Sequence, residues 1–236
     1  MRQAFYTIIT MDKGNGNVWD KKPIIFDSDN SDILTYYTIK QEAGENISEN
    51  LIKMADTISC DVYYNEYGNM VVKSNINNFI NKNFPVAWRF DDDDRDLLSI
   101  NCTENWSKMK NKIAVKGAIV NGYQFSAILE NRNLASDFCV QHCGEVSETI
   151  NDEKLYSDFL CQERAIYEMV NYTRGVRSLN LSCTYNPFLD VNQSILIYNS
   201  QADLYNDNFV IDSFSIQIGN DFKTDITATN INYFVF

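Results

Sequence analysis

The second half of the chain follows a sheet-forming pattern that one long helix interrupts, and this order of elements constrains the fold most. The sequence predicts a hairpin over residues 112–130 around Asn121-Gly122, a helix over residues 152–174 and three or four strands over residues 178–231. Asn-Gly favours a type I′ turn, which needs positive φ at both central residues. We therefore predict an α+β, mainly β fold: a β-sandwich or barrel with one flanking helix.

Two of the later strands show a clear alternation of apolar and polar residues. Leu179, Leu181 and Cys183 alternate with polar residues, which is typical of a half-buried strand. The same pattern predicts a buried face formed by Phe214, Ile216 and Ile218. Between them, Pro187 predicts a turn because proline cannot donate to a strand ladder.

The first 85 residues predict a smaller helix-plus-hairpin region. Apolar runs at residues 5–9 and 23–26 predict two strands joined by a turn at residues 13–17. Asn46, with Glu49 three residues later, predicts a capped helix, and residues 61–73 predict a hairpin. An Asn-rich stretch at residues 74–85 is typical of a linker. The predicted domains are therefore residues 1–85 and residues 86–236, the second containing helix 152–174.

The predicted helix 152–174 has two apolar stripes. Asn151 is its predicted cap, and Arg174-Gly175 favours its C-terminal end. A core-facing stripe consists of Leu155, Phe159, Ile166, Met169 and Val170. A second stripe either widens that core face or contacts another subunit. Its members, the candidate interface residues, are Tyr156, Leu160 and Tyr167.

Composition argues against several classes of protein. The formal net charge of −12 disfavours sequence-specific nucleic-acid binding, because affinity for phosphate depends on lysine and arginine. The sequence contains no apolar stretch of membrane-spanning or signal-peptide type. The six cysteines have no regular spacing, so reduced thiols are expected. These features predict a soluble protein made in the cytosol.

Catalytic and metal-binding signals are weak. The single histidine, His142, lies between Cys139 and Cys143, but a structural zinc site needs a fourth ligand. The acidic run at residues 91–94 lacks the alternating ligands and glycine of a calcium loop, which favours a solvated turn. No phosphate-binding glycine loop occurs. We predict no catalytic, cofactor-binding or metal-binding residue.

Several motifs, in this order, resemble those of one protein family. They are Tyr37-Thr38-Ile39, the stretch from Ile58 to Val72, Ile113-Ala114-Val115-Lys116-Gly117, Asn186-Pro187-Phe188-Leu189-Asp190-Val191 and Ile211-Asp212-Ser213-Phe214-Ser215-Ile216. Over residues 35–235 the chain resembles baseplate hub proteins of phage tails and phage-tail-like bacteriocins. The resemblance implies tail-tube-like β-barrel domains. Hub proteins commonly carry two such domains, whereas here only residues 86–236 match a complete one; residues 1–45 would be a remnant of the first, or another chain would supply it.

The resemblance also implies a function. Hub proteins are non-enzymatic virion components that form a ring beneath the tail tube of a contractile tail and join it to the central spike and surrounding baseplate. The implied partners are copies of the same chain, as a trimer or alternatively a hexamer, together with the tail tube protein, the spike and other baseplate proteins. Membrane partners are not implied. The implied location is the baseplate of a virion or tail-like particle assembled in the bacterial cytoplasm.

Two other functions stay open at this point. A tail-associated wall-degrading enzyme would use two carboxylates, but the sequence favours no pair. A wall-glycan-binding module is suggested because the segment from Tyr37 to Tyr64 is similar to the start of a LysM module, although a hairpin replaces its second helix. If the chain lines a DNA-conducting tube, acidic residues should face the lumen. The candidates are Asp91, Asp92, Asp93, Asp94, Asp221 and Asp225.

Overall fold

The chain packs into two compact units. The computed structural model describes residues 1–12, 16–27, 32, 34, 40, 46–74, 78, 84–219 and 222–231. Unit 1 consists of residues 1–76, 113–129 and 149–167, and unit 2 consists of residues 77–112, 130–148 and 168–236. The chain passes between the units several times. The predicted domain boundary at residue 85 stays a prediction, because these units are defined by contacts and not by position along the chain.

Unit 1 begins with a helix where a strand was predicted. Helix α1 spans Arg2–Ile9 and buries Phe5, Ile8 and Ile9. Residues spaced i, i+3 and i+4 share one helix face, so this short apolar run suits a buried helix as well as a strand, and packing against the core decides between them. The second predicted strand is confirmed as β1, Ile25–Asp27. The predicted turn falls partly on residues 13–15, outside the described residues.

The predicted helix and hairpin of the first region are confirmed. Helix α2 spans Ile47–Thr57, and its cap residue Asn46 accepts a hydrogen bond from the Ser48 N–H at 3.1 Å. Strands β2, Asp61–Tyr64, and β3, Met70–Lys73, are antiparallel, and β1 joins β3 in parallel. Helices α1 and α2 share one core with β3. Most of the predicted linker lies outside the described residues.

A second small sheet contains the predicted Asn121-Gly122 turn. Strands β4, Val86–Phe90, and β5, Leu97–Glu104, come first and belong to unit 2. Strands β6, Lys112–Val120, and β7, Tyr123–Glu130, then flank the turn, where Asn121 and Gly122 have φ of 51° and 81°. The hairpin is therefore confirmed. Strand β8, Ser147–Asn151, follows a one-turn helix α3, Val140–Cys143, and completes a sheet of order β7-β6-β8.

The long helix begins later than residue 152. Helix α4 spans Asp158–Arg174. The Asp152 N–H donates to the Lys116 carbonyl and the Ala118 N–H donates to the Leu155 carbonyl, both at 2.9 Å, so strand β6 already uses the backbone of residues 152–155. Asn151 ends β8 and does not cap the helix. The Ser157 hydroxyl instead accepts from the Leu160 N–H at 3.1 Å.

Unit 2 contains one six-stranded sheet. Its later strands are β9, Arg177–Thr184, β10, Ser194–Asn199, β11, Leu204–Gln217, and β12, Lys223–Asn230. The strand order is β4-β10-β11-β12-β9-β5, with only β4 and β10 parallel. All six strands contribute to one apolar cluster, and the predicted buried residues Leu179, Leu181 and Cys183 belong to it.

The sheet curls but does not close. The 3₁₀ turn Ser200–Ala202, which follows β10, contacts β5 although three strands separate β5 from β10 in the sheet order. Strands β4 and β5 remain unpaired with each other, so the described residues form no closed barrel. The predicted α+β, mainly β class is therefore confirmed, whereas the predicted barrel is replaced by an open, curled sheet.

The predicted burial at the end of β11 is wrong for two residues. Phe214 packs against the core, but Ile216 and Ile218 are exposed. Gln217 pairs with Lys223, which in turn pairs with Thr184, the last residue of β9. The sheet therefore ends at this level and Ile218 lies beyond it, whereas Ile216 pairs with Thr224 one position inside the end of the sheet and is 41% exposed.

Candidate assembly surfaces

Strand β5 presents an open edge. The Asn105 N–H donates to the Val176 carbonyl at 2.7 Å, and Thr103 and Asn101 face Ser178 and Asn180 in register. Hydrogen-bonded and non-hydrogen-bonded pairs alternate along an antiparallel ladder. The backbone groups of the intervening residues therefore point away from β9, toward the edge that no described strand pairs. Those residues are Ile100, Cys102 and Glu104.

The opposite edge of the same sheet is also open. Strand β4 pairs only with β10 among the described strands, and Val86 at its start is exposed. Near the β5 edge, a cavity of about 330 Å³ lies between β5 and the 3₁₀ turn that follows β10. As far as the described strands go, one sheet thus carries two different unpaired edges. Such edges favour pairing with other strands.

The outer face of this sheet is covered by small polar side chains. Residues paired across antiparallel strands lie on the same face. One row across β5, β9, β12 and β11 consists of Ser99, Ser182, Asp225 and Ser215, and the next row consists of Asn101, Asn180, Thr227 and Ser213. These side chains are exposed or half-buried. The face is therefore hydrophilic and free of bulky side chains along both rows.

The candidate acid Asp225 lies within this polar face. Its carboxylate accepts hydrogen bonds from Ser182 and from the Gln217 amide and forms an ion pair of 2.8 Å with Lys223. Hydrogen bonds from Lys223 and Ser182 hold the pKa of Asp225 below its usual value. The carboxylate therefore stays charged at neutral pH.

The other acidic candidates lie in the turn between β4 and β5. Asp91 pairs with Arg89, the Asp92 carboxylate accepts from the Ser200 N–H at 2.8 Å, and the Asp94 carboxylate accepts from the Asp96 N–H at 3.0 Å. Asp93 is exposed. Asp221 lies outside the described residues. The acidic run therefore includes side chains that shape a turn, and its lumen exposure remains a prediction.

An ion pair anchors the C-terminal end of α4 to the sheet. Arg174, the last helical residue, binds the Asp212 carboxylate and the Thr229 hydroxyl. Asp212 occupies a bulge between Ile211 and Ser213. The sequence did not predict this contact. It shows only a single carboxylate, Asp212, directly after the buried run of residues 209–211, and nothing that links it to Arg174.

A partly buried cluster of two ion pairs lies near the start of β9. Arg177 contacts Glu104 and Asp207, each at 3.1 Å. Cys102 lies beside this cluster, and burial raises the pKa of its thiol, although Arg177 partly opposes the shift. The cluster connects β5, β9 and β11, three strands that are far apart in sequence. It therefore stabilises the end of the sheet next to the β5 edge.

The candidate interface residues occupy different environments. Tyr156 precedes α4 and is half-buried, whereas Leu160 is buried. The Tyr167 hydroxyl donates to the Asp61 carboxylate at 3.1 Å, and the Arg164 guanidinium lies 5.8 Å from the Tyr167 ring centre. Their role at a subunit interface remains a prediction.

The predicted core stripe of the same helix is partly wrong. Leu155, Met169 and Val170 are buried as predicted, although Leu155 precedes the helix, whereas Phe159 is 58% exposed. Phe159 lies in the first turn, where the helix leaves that side chain uncovered.

The cysteine–histidine segment forms the small helix α3. The Cys139 thiol is buried and bonds to the Gln141 amide oxygen, while the Cys143 thiol donates to the Asp137 carbonyl at 2.8 Å. His142 is exposed. Within the described ranges, no three histidine, cysteine or acidic side chains are grouped so that they could hold a metal ion.

Comparisons with known proteins identify the fold class. A family model described as a domain of unknown function, DUF5048, matches residues 135–234. No curated protein matches. Among the described residues, no helix is long and apolar enough to cross a membrane.

Solved structures of tail proteins, two of them described as prophage proteins, are similar over most of the chain. The prophage MuSo2 43 kDa tail protein from Shewanella oneidensis has a TM-score of 0.64 at 13% identity, over 90% of this chain and 62% of its own. A tail protein from Neisseria meningitidis MC58 has a TM-score of 0.61 at 10% identity, over 92% and 64%. Prophage tail protein gp18 from Listeria monocytogenes EGD-e has a TM-score of 0.53 at 14% identity, over 97% and 64%.

These likenesses establish the fold. The chain has the fold of phage tail proteins, and it spans less than two thirds of the length of the tail proteins that it matches.

Proposed function

We propose that this chain is a structural, non-enzymatic component of a phage tail or tail-like particle. We propose more specifically that it is a baseplate hub component whose ring joins the tail tube to the central spike and surrounding baseplate. The observation that carries this proposal is the likeness of 90–97% of the chain to tail proteins from three bacteria, two of them described as prophage proteins. In this proposal, residues 86–236 form the tube-like domain, and residues 1–85 form the smaller preceding region.

The two open sheet edges provide a means of forming the ring. The β5 edge of one copy would pair with the β4 edge of the next copy. Because these two edges differ, the contact is heterologous, and it produces a closed ring when the rotation between copies closes. The proposal therefore predicts a homo-oligomer, with three or six copies.

The polar outer face is the proposed lumen-facing surface. A polyanion passing through a tube would be held by lysine and arginine, because each neutralised phosphate releases counterions. The two rows of small polar side chains around Asp225 offer little such attraction, and their size leaves the passage unobstructed. Asp91, Asp92, Asp93 and Asp94, with Asp221, are the further proposed contributors to negative lumen charge.

The helix stripe Tyr156, Leu160 and Tyr167 is the proposed contact with a neighbouring subunit. The double variant Leu160→Asp, Tyr167→Asp separates this role from a core role, because a buried charge without a partner is costly. A folded monomer that no longer joins the ring supports a subunit contact. An unfolded protein supports a core role instead.

The β5 edge can be tested with two variants at one position. Cys102→Pro removes a backbone N–H that points away from β9, whereas Cys102→Ala removes the thiol but keeps that N–H. Both variants should stay folded by circular dichroism. Native mass spectrometry should then find the ring in the wild type and Cys102→Ala and mainly monomers in Cys102→Pro. Equal ring formation by both variants would exclude this edge from the interface.

A further inference from the structure

Unit 1 contains a groove lined by exposed aromatic and aliphatic side chains. Its volume is about 440 Å³, and it lies between the first turns of α2, strand β2 and residues 19–20. Trp19, Ile52 and Tyr64 all line it, and their exposed fractions are 51%, 53% and 57%. Large apolar side chains that converge on one exposed site often mark a binding surface.

The aromatic side of the groove is held in place by hydrogen bonds. The Trp19 and Asp20 N–H groups both donate to the Ile9 carbonyl, at 3.0 and 3.2 Å. The Tyr64 hydroxyl donates to the Asp20 carboxylate at 3.0 Å, and the Lys22 N–H donates to the same carboxylate at 2.9 Å. The segment that carries Trp19 is therefore fixed to α1 and to β2.

A few polar groups accompany these apolar walls. The Asp20 carboxylate, the Asn46 amide and the Ser48 hydroxyl all line the groove. Ligand pockets of this size commonly combine mostly apolar and aromatic walls with a small number of polar groups that orient the ligand. The groove fits that description.

The charge of the groove disfavours anionic ligands. Among the described residues that line it, Asp20 alone is charged, and the whole chain carries a formal net charge of −12. Both features disfavour an anionic ligand such as a nucleotide. A neutral pyranose has an apolar C–H face that stacks on a flat aromatic ring, and it has hydroxyl groups that bond to carboxylates and amides.

We propose that this groove binds a neutral oligosaccharide. Trp19 and Tyr64 supply the stacking surfaces, Ile52 and Leu51 supply apolar contact, and Asp20 accepts a hydrogen bond from a sugar hydroxyl. This inference uses only unit 1 and does not depend on the proposed ring, so either proposal can fail without the other.

Direct titration tests the binding. Tetramers of N-acetylglucosamine and of glucose serve as probes, and the indole N–H signals of the three tryptophans are followed by NMR. The proposal expects saturable binding of at least one tetramer, with the Trp19 signal shifting and the Trp88 and Trp106 signals unchanged. It is overturned if neither probe binds, or if the Trp19 signal stays fixed while binding occurs.

Variants provide the second arm of the experiment. Trp19→Ala and Tyr64→Ala should each weaken binding by about tenfold or more, which corresponds to about 1.4 kcal/mol. Tyr67→Ala is the control, because Tyr67 is 71% exposed and does not line the groove. Thermal unfolding checks that each variant is folded. Equal affinities for all three variants and the wild type would overturn the proposal, as would selective binding of an apolar peptide in place of both sugars.

Discussion

The cores of the two compact units are built from different kinds of elements. Unit 2 places twelve buried residues from five of its six strands and one turn in a single cluster on one face of one sheet, and β5 adds partly buried residues to it. Unit 1 combines short helices and small sheets drawn from three separate stretches of the chain. Alternation along a strand predicts most of the buried face of such a sheet, with Ile216 and Ile218 of β11 as the exceptions. A core assembled from distant pieces depends instead on pairings that local sequence does not encode.

The largest expected effect comes from the core of unit 2. Phe209 is fully buried on β11, between β10 and β12. Phe209→Ala should lower the free energy of unfolding by about 3–5 kcal/mol, because it removes a buried ring and leaves a cavity. Urea denaturation measures this change. A loss below about 1 kcal/mol would mean that the sheet core is not packed as described.

The next effect tests the close packing of unit 1. A Cβ atom at Gly117 would lie 2.4 Å from the Leu155 carbonyl oxygen and 2.9 Å from the Cys161 sulfur. Gly117→Ala should therefore destabilise the protein by about 1–3 kcal/mol, as overpacking does.

Gly219→Ala in unit 2 is the matched control, since no atom of a described residue, its chain neighbours apart, lies within 4 Å of its added Cβ. Thermal unfolding should show a lower midpoint for Gly117→Ala only. Equal midpoints for the two variants would contradict the tight contact between β6 and residues 155–161.

Features set by neighbouring residues were predictable from the sequence, whereas features set by long-range pairing were not. The Asn121-Gly122 turn and the Asn46 cap were predictable because neighbouring residues alone decide them. The start of α4 was not predictable, because β6 takes the backbone of residues 152–155 through long-range hydrogen bonds. For the same reason, the two open edges emerge only from the strand order. The sequence identified the acidic candidates, but it did not predict the different partners that their carboxylates contact.

A smaller effect compares ion pairs in the two units. Arg174 and Asp212 have side chains that are only 22% and 25% exposed, whereas Arg2 and Asp32 in unit 1 are 46% and 73% exposed. Double-mutant cycles to alanine should give a coupling of about 1.5 kcal/mol or more for Arg174 with Asp212. The Arg2 and Asp32 pair should give less than about 1 kcal/mol. The reverse order would contradict the role of Arg174 as the anchor of α4.

The smallest effect concerns thiol reactivity and leaves the fold unchanged. Burial raises the pKa of Cys183 in unit 2 and of Cys161 in unit 1 to about 11. A raised pKa lowers the reactive thiolate fraction, to about one thousandth at pH 8. Iodoacetamide at pH 8 should therefore label exposed Cys143 first and leave Cys161 and Cys183 unmodified until denaturant is added. Peptide mass spectrometry follows this order, and early labelling of Cys183 would show that the unit 2 core opens readily.

We propose that copies of this chain form a ring through the edges of the six-stranded sheet. Electron microscopy of the purified assembly measures this most directly, because it gives both the symmetry and the surfaces in contact. The account predicts a closed ring of three or six copies in which β5 of each copy pairs with β4 of the next, with Asp225 facing the lumen. A chain that stays monomeric, or a ring in which both edges face solvent, would contradict it.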